Sequence, residues 1–174
     1  MTTALESGID IFLHPGEWYF GDRHTRIYTT LGSCVAITLW HPQLKLGAMC
    51  HYMLPGDAHP HSDEALNARY GEDAMRLMVA EIRRMGTRPG DYEAKLFGGA
   101  SMFDVGPGGG SVARRNIQAA EALMQRYELK TVARSLGGCG YRQLVFNIAN
   151  GDVWVRQGDG SADSRQANGS GEVA

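Results

Sequence analysis

At 174 residues the chain is long enough for one domain with a real core, and its formal net charge of -2 gives no field that would gather nucleic acid or an anionic membrane. The first 20 residues lack a basic start followed by a long apolar run. No stretch approaches the roughly 20 apolar residues that span a bilayer, so a cytoplasmic protein without membrane insertion is expected.

Runs rich in β-branched and aromatic residues predict strands at "TRIYTTL", "VAITLW" and "LGAMCHYML", and further along at "YEAKLF", "KTVARSL", "QLVFNIA" and "DVWVRQ". The last two flank Asn150-Gly151, a two-residue hairpin signal. Two helical patterns interrupt the strands. "YGEDAMRLMVAEIRRMG" places Ala74, Leu77, Met78, Ile82 and Met85 on one face and stops at Gly86. From Ser111, read as the cap, to about Tyr127, the second lines up Ala113, Ile117, Ala120, Met124 and Tyr127. Many strands and two helices predict an α+β domain, with the helices packed on a mostly antiparallel sheet or sandwich. Residues 158–174 are rich in Gly, Ser, Asp and Asn and are expected to form a flexible tail on a domain spanning 1–157.

Three cysteines, Cys34, Cys50 and Cys139, are an odd number without C-x-x-C spacing, which suits a reducing compartment and leaves at least one thiol free. Cys34 follows Gly32-Ser33 at the head of "VAITLW", and His51 lies in the next strand. If residues 41–44 form the connecting loop, Trp40 faces Lys45 and Cys34 faces His51; one further loop residue puts Tyr52 opposite instead. A facing imidazole takes the thiol proton and stabilises the thiolate as an ion pair, the chemistry of a cysteine nucleophile. Cys50 precedes His51 on the strand and is expected to point to the opposite side of the sheet, into the core. His51, His59 and His61 near Cys50 raise a zinc site, but the last two lie in a Pro- and Gly-containing loop without a compact second ligand pair, and no metal or other cofactor is expected.

"LGSCVAI", "GAMCHYMLP", "RYGEDAM", "KLFGGASMF", "RRN" and "LGGCGYRQLVFN" occur in that order over roughly residues 26–156. In this the chain resembles the chemoreceptor glutamine deamidase CheD family. The resemblance implies an α+β sandwich-like fold and a cofactor-free amidohydrolase that converts glutamines of methyl-accepting chemotaxis receptors to glutamates, with CheC as a further partner. The nucleophile and histidine roles fall on Cys34 and His51. A threonine that orients the histidine is implied at Thr29, with Thr30 adjacent. The chain departs from the family at Ala113, where members often carry glycine. "GGASMF", residues 98–103, reads either as a bend at a sheet end or as a source of backbone N–H groups lining the cleft beside Cys34. "GPGGGS", residues 106–111, lacks the lysine and spacing of a phosphate loop and reads as a lead into the second helix. The rival to catalysis is a non-catalytic adaptor that binds receptors or CheC.

Overall fold

In the computed structural model, which describes residues 8–57, 65–101, 111–159 and 171–174, the side chains of Thr25–Leu31 alternate between buried and less buried along the whole strand. That is the mark of a sheet covered on one face. Val35–His41 is buried at every position but one, because both of its faces are covered. These two strands belong to different sheets, and the step between them creates the layered architecture.

In chain order the elements are β1 Ile9–Phe12, β2 Trp18–Gly21, β3 Thr25–Leu31, β4 Val35–His41, β5 Leu46–Tyr52, α1 Gly71–Arg84, β6 Glu93–Gly98, α2 Val112–Arg126, β7 Lys130–Leu136, β8 Tyr141–Asn147, β9 Val153–Gly158 and β10 Glu172–Val173. One sheet has the order β1-β3-β8-β9-β10 and the other β2-β5-β4-β6-β7. Among the named strands, only the pairings β1 with β3 and β6 with β7 are parallel. Between the sheets lies a core built from Ile27, Leu31, Leu144 and Phe146 on one side and Ala36, Met49 and Phe97 on the other. The opposite face of the second sheet presents Ile37, Leu39, Cys50 and Tyr52 to Ala74, Met78 and Ile82 of α1 and to Ala120, Leu123 and Met124 of α2. The result is three layers, sheet on sheet on helices, the α+β sandwich expected.

Both helices form where the periodicity places them. Ser111 caps α2, its hydroxyl accepting the Arg114 N–H at 3.2 Å. Met85, read as core, is instead the C-cap of α1 and exposed, since the helix ends at Arg84. The Asn150-Gly151 hairpin also forms, but with a longer turn than two residues: the Asn147 N–H donates to the Asp152 carbonyl at 2.9 Å, leaving residues 148–151 outside the ladder. Ile148 is withheld from that ladder because it is fully buried and its N–H goes to the Thr25 carbonyl at 3.1 Å. Strands β1 and β2 were not expected; at four residues each they are too short to display a period. The segment read as a tail behaves unevenly. Gly158 ends β9, residues 160–170 lie outside the described residues, and β10 pairs with β9 while Ala174 exchanges two backbone hydrogen bonds with Val153.

Candidate active site

Cys34 stands in the three-residue link by which the chain leaves β3 and enters β4. The link is held from its far side. Gly99 N–H donates to the Cys34 carbonyl at 2.8 Å and Ala100 N–H to the Gly32 carbonyl at 3.0 Å. Gly98 makes this approach possible: its φ is +105°, and a Cβ there would lie 2.2 Å from the Cys34 carbonyl oxygen. The N–H groups of Gly99 and Ala100 in "GGASMF" are thus spent on the cysteine link and that of Ser101 on the Gly138 carbonyl, so of the two readings the segment fits the bend at a sheet end and not the cleft lining. Met102 and Phe103 lie outside the described residues, as does most of "GPGGGS".

The register of the β4–β5 hairpin corrects the expected pairing. His51 faces Ala36, Val35 faces Tyr52, and His41 still pairs with Leu46, so Cys34 is not directly opposite His51. The loop holds four residues as expected but starts one position later, at Pro42. Lys45 closes it with a left-handed φ of 53°, and its N–H returns to the His41 carbonyl at 2.9 Å. Moving the loop by one residue moves the register by two, which preserves faces. Cys34 therefore keeps to the His51 side of the sheet as a diagonal neighbour, a relation that in a regular sheet spans roughly 7–8 Å and remains within reach of long side chains. Consistent with this, Cys34 packs on the core between the sheets and Cys50 in the core beneath the helices.

His51 is oriented from the other sheet. Its Nδ1 lies 2.8 Å from Thr29 Oγ1, and Thr29 Oγ1 also donates to the Leu13 carbonyl at 2.8 Å. A threonine hydroxyl has one hydrogen, and the carbonyl takes it, so Nδ1 must be the donor to Oγ1. The neutral ring consequently carries its proton on Nδ1 and a free lone pair on Nε2. Nε2 is buried and has no hydrogen-bond partner among the described residues. The backbone of His51 is gripped as well, its N–H donating to the Glu17 carbonyl at 3.0 Å and its carbonyl accepting from Gly16 at 2.8 Å. Thr30, the other candidate, is exposed, because period-2 alternation turns it away from the core.

Burial dominates the electrostatics. It pushes the Cys34 thiol up and pulls the His51 imidazole down to about 4, with Glu17 opposing the latter. The resting pair is neutral thiol beside neutral imidazole, rather than the ion pair that the residue types alone suggest. Cys50, fully buried, is pushed up to about 12 and is inert. Cys139 is exposed. Cys50 and His51 point to opposite faces of β5 and cannot share a metal; His59 and His61 lie outside the described residues.

The roles of two contributors escape sequence reasoning. The Leu13 carbonyl, which fixes the tautomer, is a backbone group and leaves no signature. Asn116 in α2 donates through Nδ2 to the carbonyls of Ser33 at 3.1 Å and Met53 at 2.9 Å. It is the last residue of the "RRN" motif, and a polar side chain amid the Ala113–Ala120–Met124 stripe is the signal that could have given it a role.

Among the described residues, no helix is long and apolar enough to cross a membrane. A family model described as CheD chemotactic sensory transduction matches residues 53–157. A probable chemoreceptor glutamine deamidase CheD of Chromobacterium violaceum is 47% identical over 156 residues, 88% of this chain and 80% of that one. One of Dechloromonas aromatica is 44% identical over 172 residues, covering 97% of this chain and 100% of its own. One of Pseudomonas savastanoi pv. phaseolicola is 44% identical over 165 residues, 91% of this chain and 92% of its own. With the family match covering more than half the sequence and relatives spanning nearly all of it, the chain that holds Cys34, His51 and Thr29 in this arrangement belongs to the CheD family.

Proposed function

We propose that this protein is a chemoreceptor glutamine deamidase in which Cys34 is the nucleophile, His51 the general base and acid, and Thr29 the residue that orients His51. The observation that carries this reading is the unprotonated, unpartnered Nε2 of a histidine locked by Thr29 on the same sheet face as Cys34, in a chain whose relatives are named as such deamidases. His51 Nε2 takes the Cys34 proton as the sulfur attacks the glutamine carboxamide carbon. The negative oxygen of the tetrahedral adduct is met by the backbone N–H of Cys34. The protonated Nε2 then gives its hydrogen to the departing nitrogen, which leaves as ammonia, and a thioester remains. A water molecule surrenders a proton to Nε2 and attacks the thioester. The thiolate leaves, recovers its proton from His51, and the product is a glutamate. Burial keeps the imidazole neutral and so available as an acceptor at neutral pH, while lowering its strength as a base.

Each turnover replaces a neutral amide by a carboxylate on a receptor helix, changing the charge repulsion there. Its site of action is the cytoplasm, on the receptor signalling helices. Incubation with a receptor cytoplasmic fragment, followed by mass spectrometry, tests the reading through the small mass gain of amide becoming acid. Cys34→Ala is expected to abolish the gain and Cys50→Ala to keep most of it. Full deamidation by folded Cys34→Ala would overturn the mechanism, and none by the wild type on its own receptors would favour an adaptor.

A further inference from the structure

We propose that Asn116 is a positioning residue of this site, a two-pronged amide clamp that holds the cysteine link and the histidine strand at a fixed separation. The proposal rests on the reading of Cys34 and His51 as the reacting pair.

The side chain of Asn116 is wholly buried, and its NH2 group spends one hydrogen on the Ser33 carbonyl and the other on the Met53 carbonyl. Ser33 directly precedes Cys34, and Met53 lies two residues past His51. The assignment of nitrogen is unambiguous, because a flipped amide would set an oxygen against two carbonyl oxygens. A second link ties the helix to the histidine strand: the Tyr52 hydroxyl donates to the Asn116 backbone carbonyl. Two chain segments distant in sequence from each other and from α2 therefore meet on one residue of that helix.

Helix docking does not require this. Ala120, Leu123 and Met124 already bury the apolar face of α2. Asn116 Oδ1, in contrast, is buried without a partner among the described residues, an arrangement that opposes folding. An unsatisfied acceptor kept beside a catalytic pair is the kind of local conflict that function explains and packing does not. No other side chain of this size offers two diverging donors from one planar nitrogen.

The clamp also sets a direction. No peptide bond among the described residues is cis, so in the Ser33–Cys34 peptide the carbonyl and the next N–H point opposite ways. Holding the Ser33 carbonyl on Asn116 turns the Cys34 N–H away from the helix, toward the side on which the adduct oxygen can form. Asn116 thus acts through Cys34 and touches no reacting atom.

The test compares Asn116→Ala and Asn116→Asp with Met124→Ala, a packing change in the same helix away from the clamp. Melting temperature, kcat and KM on a receptor cytoplasmic fragment, and the rate of Cys34 alkylation by iodoacetamide relative to Cys139 are measured for each. Loss of the clamp is expected to lower kcat about 10- to 100-fold while KM moves less than about two-fold. Asn116→Asp suffers more than Asn116→Ala, because it aims a carboxylate at two carbonyls. Met124→Ala is expected to lose melting temperature but not kcat. Folded Asn116→Ala with wild-type kcat and wild-type Cys34 alkylation would overturn the proposal, and so would an equal kcat loss in Met124→Ala. The alkylation arm needs no substrate, so a failure of the deamidation reading leaves it informative: about ten-fold slower alkylation in Asn116→Ala supports the clamp by itself. Side-chain amide exchange in the wild type gives a readout independent of mutant folding, since Asn116 hydrogens exchanging as fast as those of an exposed asparagine would refute the clamp.

Discussion

Replacing Thr29 by valine keeps the shape of a buried side chain and removes one oxygen, which makes it a clean probe of the histidine tautomer. That oxygen makes two hydrogen bonds of 2.8 Å each, to the Leu13 carbonyl and to His51 Nδ1. Both partners are left unpaired in a buried site, at about 1–3 kcal/mol apiece, so Thr29→Val is expected to lose about 2–6 kcal/mol of stability. The bias toward the Nδ1–H tautomer disappears as well. If the bond to Thr29 contributes about 1–1.5 kcal/mol to that bias, its loss takes the reactive tautomer from about nine-tenths of the population to about half, so kcat falls about two-fold on this account, with any ring rotation adding to the loss. Thr29→Ser retains the hydroxyl and forfeits one methyl, so it is expected to lose about 1 kcal/mol of stability and little kcat. Deamidation of a receptor fragment followed by mass spectrometry measures the rates, thermal melts the stability, and imidazole nitrogen chemical shifts the tautomer. Folded Thr29→Val with wild-type kcat would refute the argument. So would Thr29→Ser as impaired as the valine variant, because the methyl rather than the hydroxyl would then matter.

Burial holds the His51 imidazole near pKa 4, against an ordinary 6.5, so between those values the unfolded chain binds a proton that the folded chain refuses. Stability should therefore fall as pH drops through that window, by about 3 kcal/mol in all, and His51→Gln should lose less melting temperature than the wild type between about pH 7.5 and about pH 5; equal losses would contradict the assignment. Gly98→Ala forces a Cβ to 2.2 Å from the Cys34 carbonyl oxygen at a φ of +105°, so a loss of about 2 kcal/mol or more and a displaced, poorly active Cys34 are expected, read by thermal melt and deamidation rate. Removing residues 160–174 deletes β10 and the bonds of Ala174 to Val153 and Lys95, and should lower the melting temperature by a few degrees without changing the deamidation rate. An unchanged melt would show that β10 adds nothing to the domain.

Period-2 alternation is a local property, and it determined more about the site than the pairing register did. The face shared by Cys34 and His51, and the opposite face taken by Cys50, follow from counting along β4 and β5; the register expected from the loop was off by two residues, and an even shift changes neighbours without changing faces. The helical stripes of α1 and α2 and the alternation of β3 were legible for the same reason, since each repeats within one element. The motif order carried the chemistry that those patterns alone leave open. Only the tertiary structure decided what each reacting group touches. Thr29 reaches His51 from the opposite sheet, Leu13 settles which nitrogen holds the proton, and Asn116 joins Ser33 to Met53 from a helix more than sixty residues along the chain. Hydrogen bonds of this kind depend on how sheets and helices stack, and stacking is driven by non-directional burial of apolar area, which specifies that faces meet but not which polar atoms then find each other. The depressed imidazole and raised thiol arise in the same way, because desolvation belongs to the assembled layers and to no residue alone.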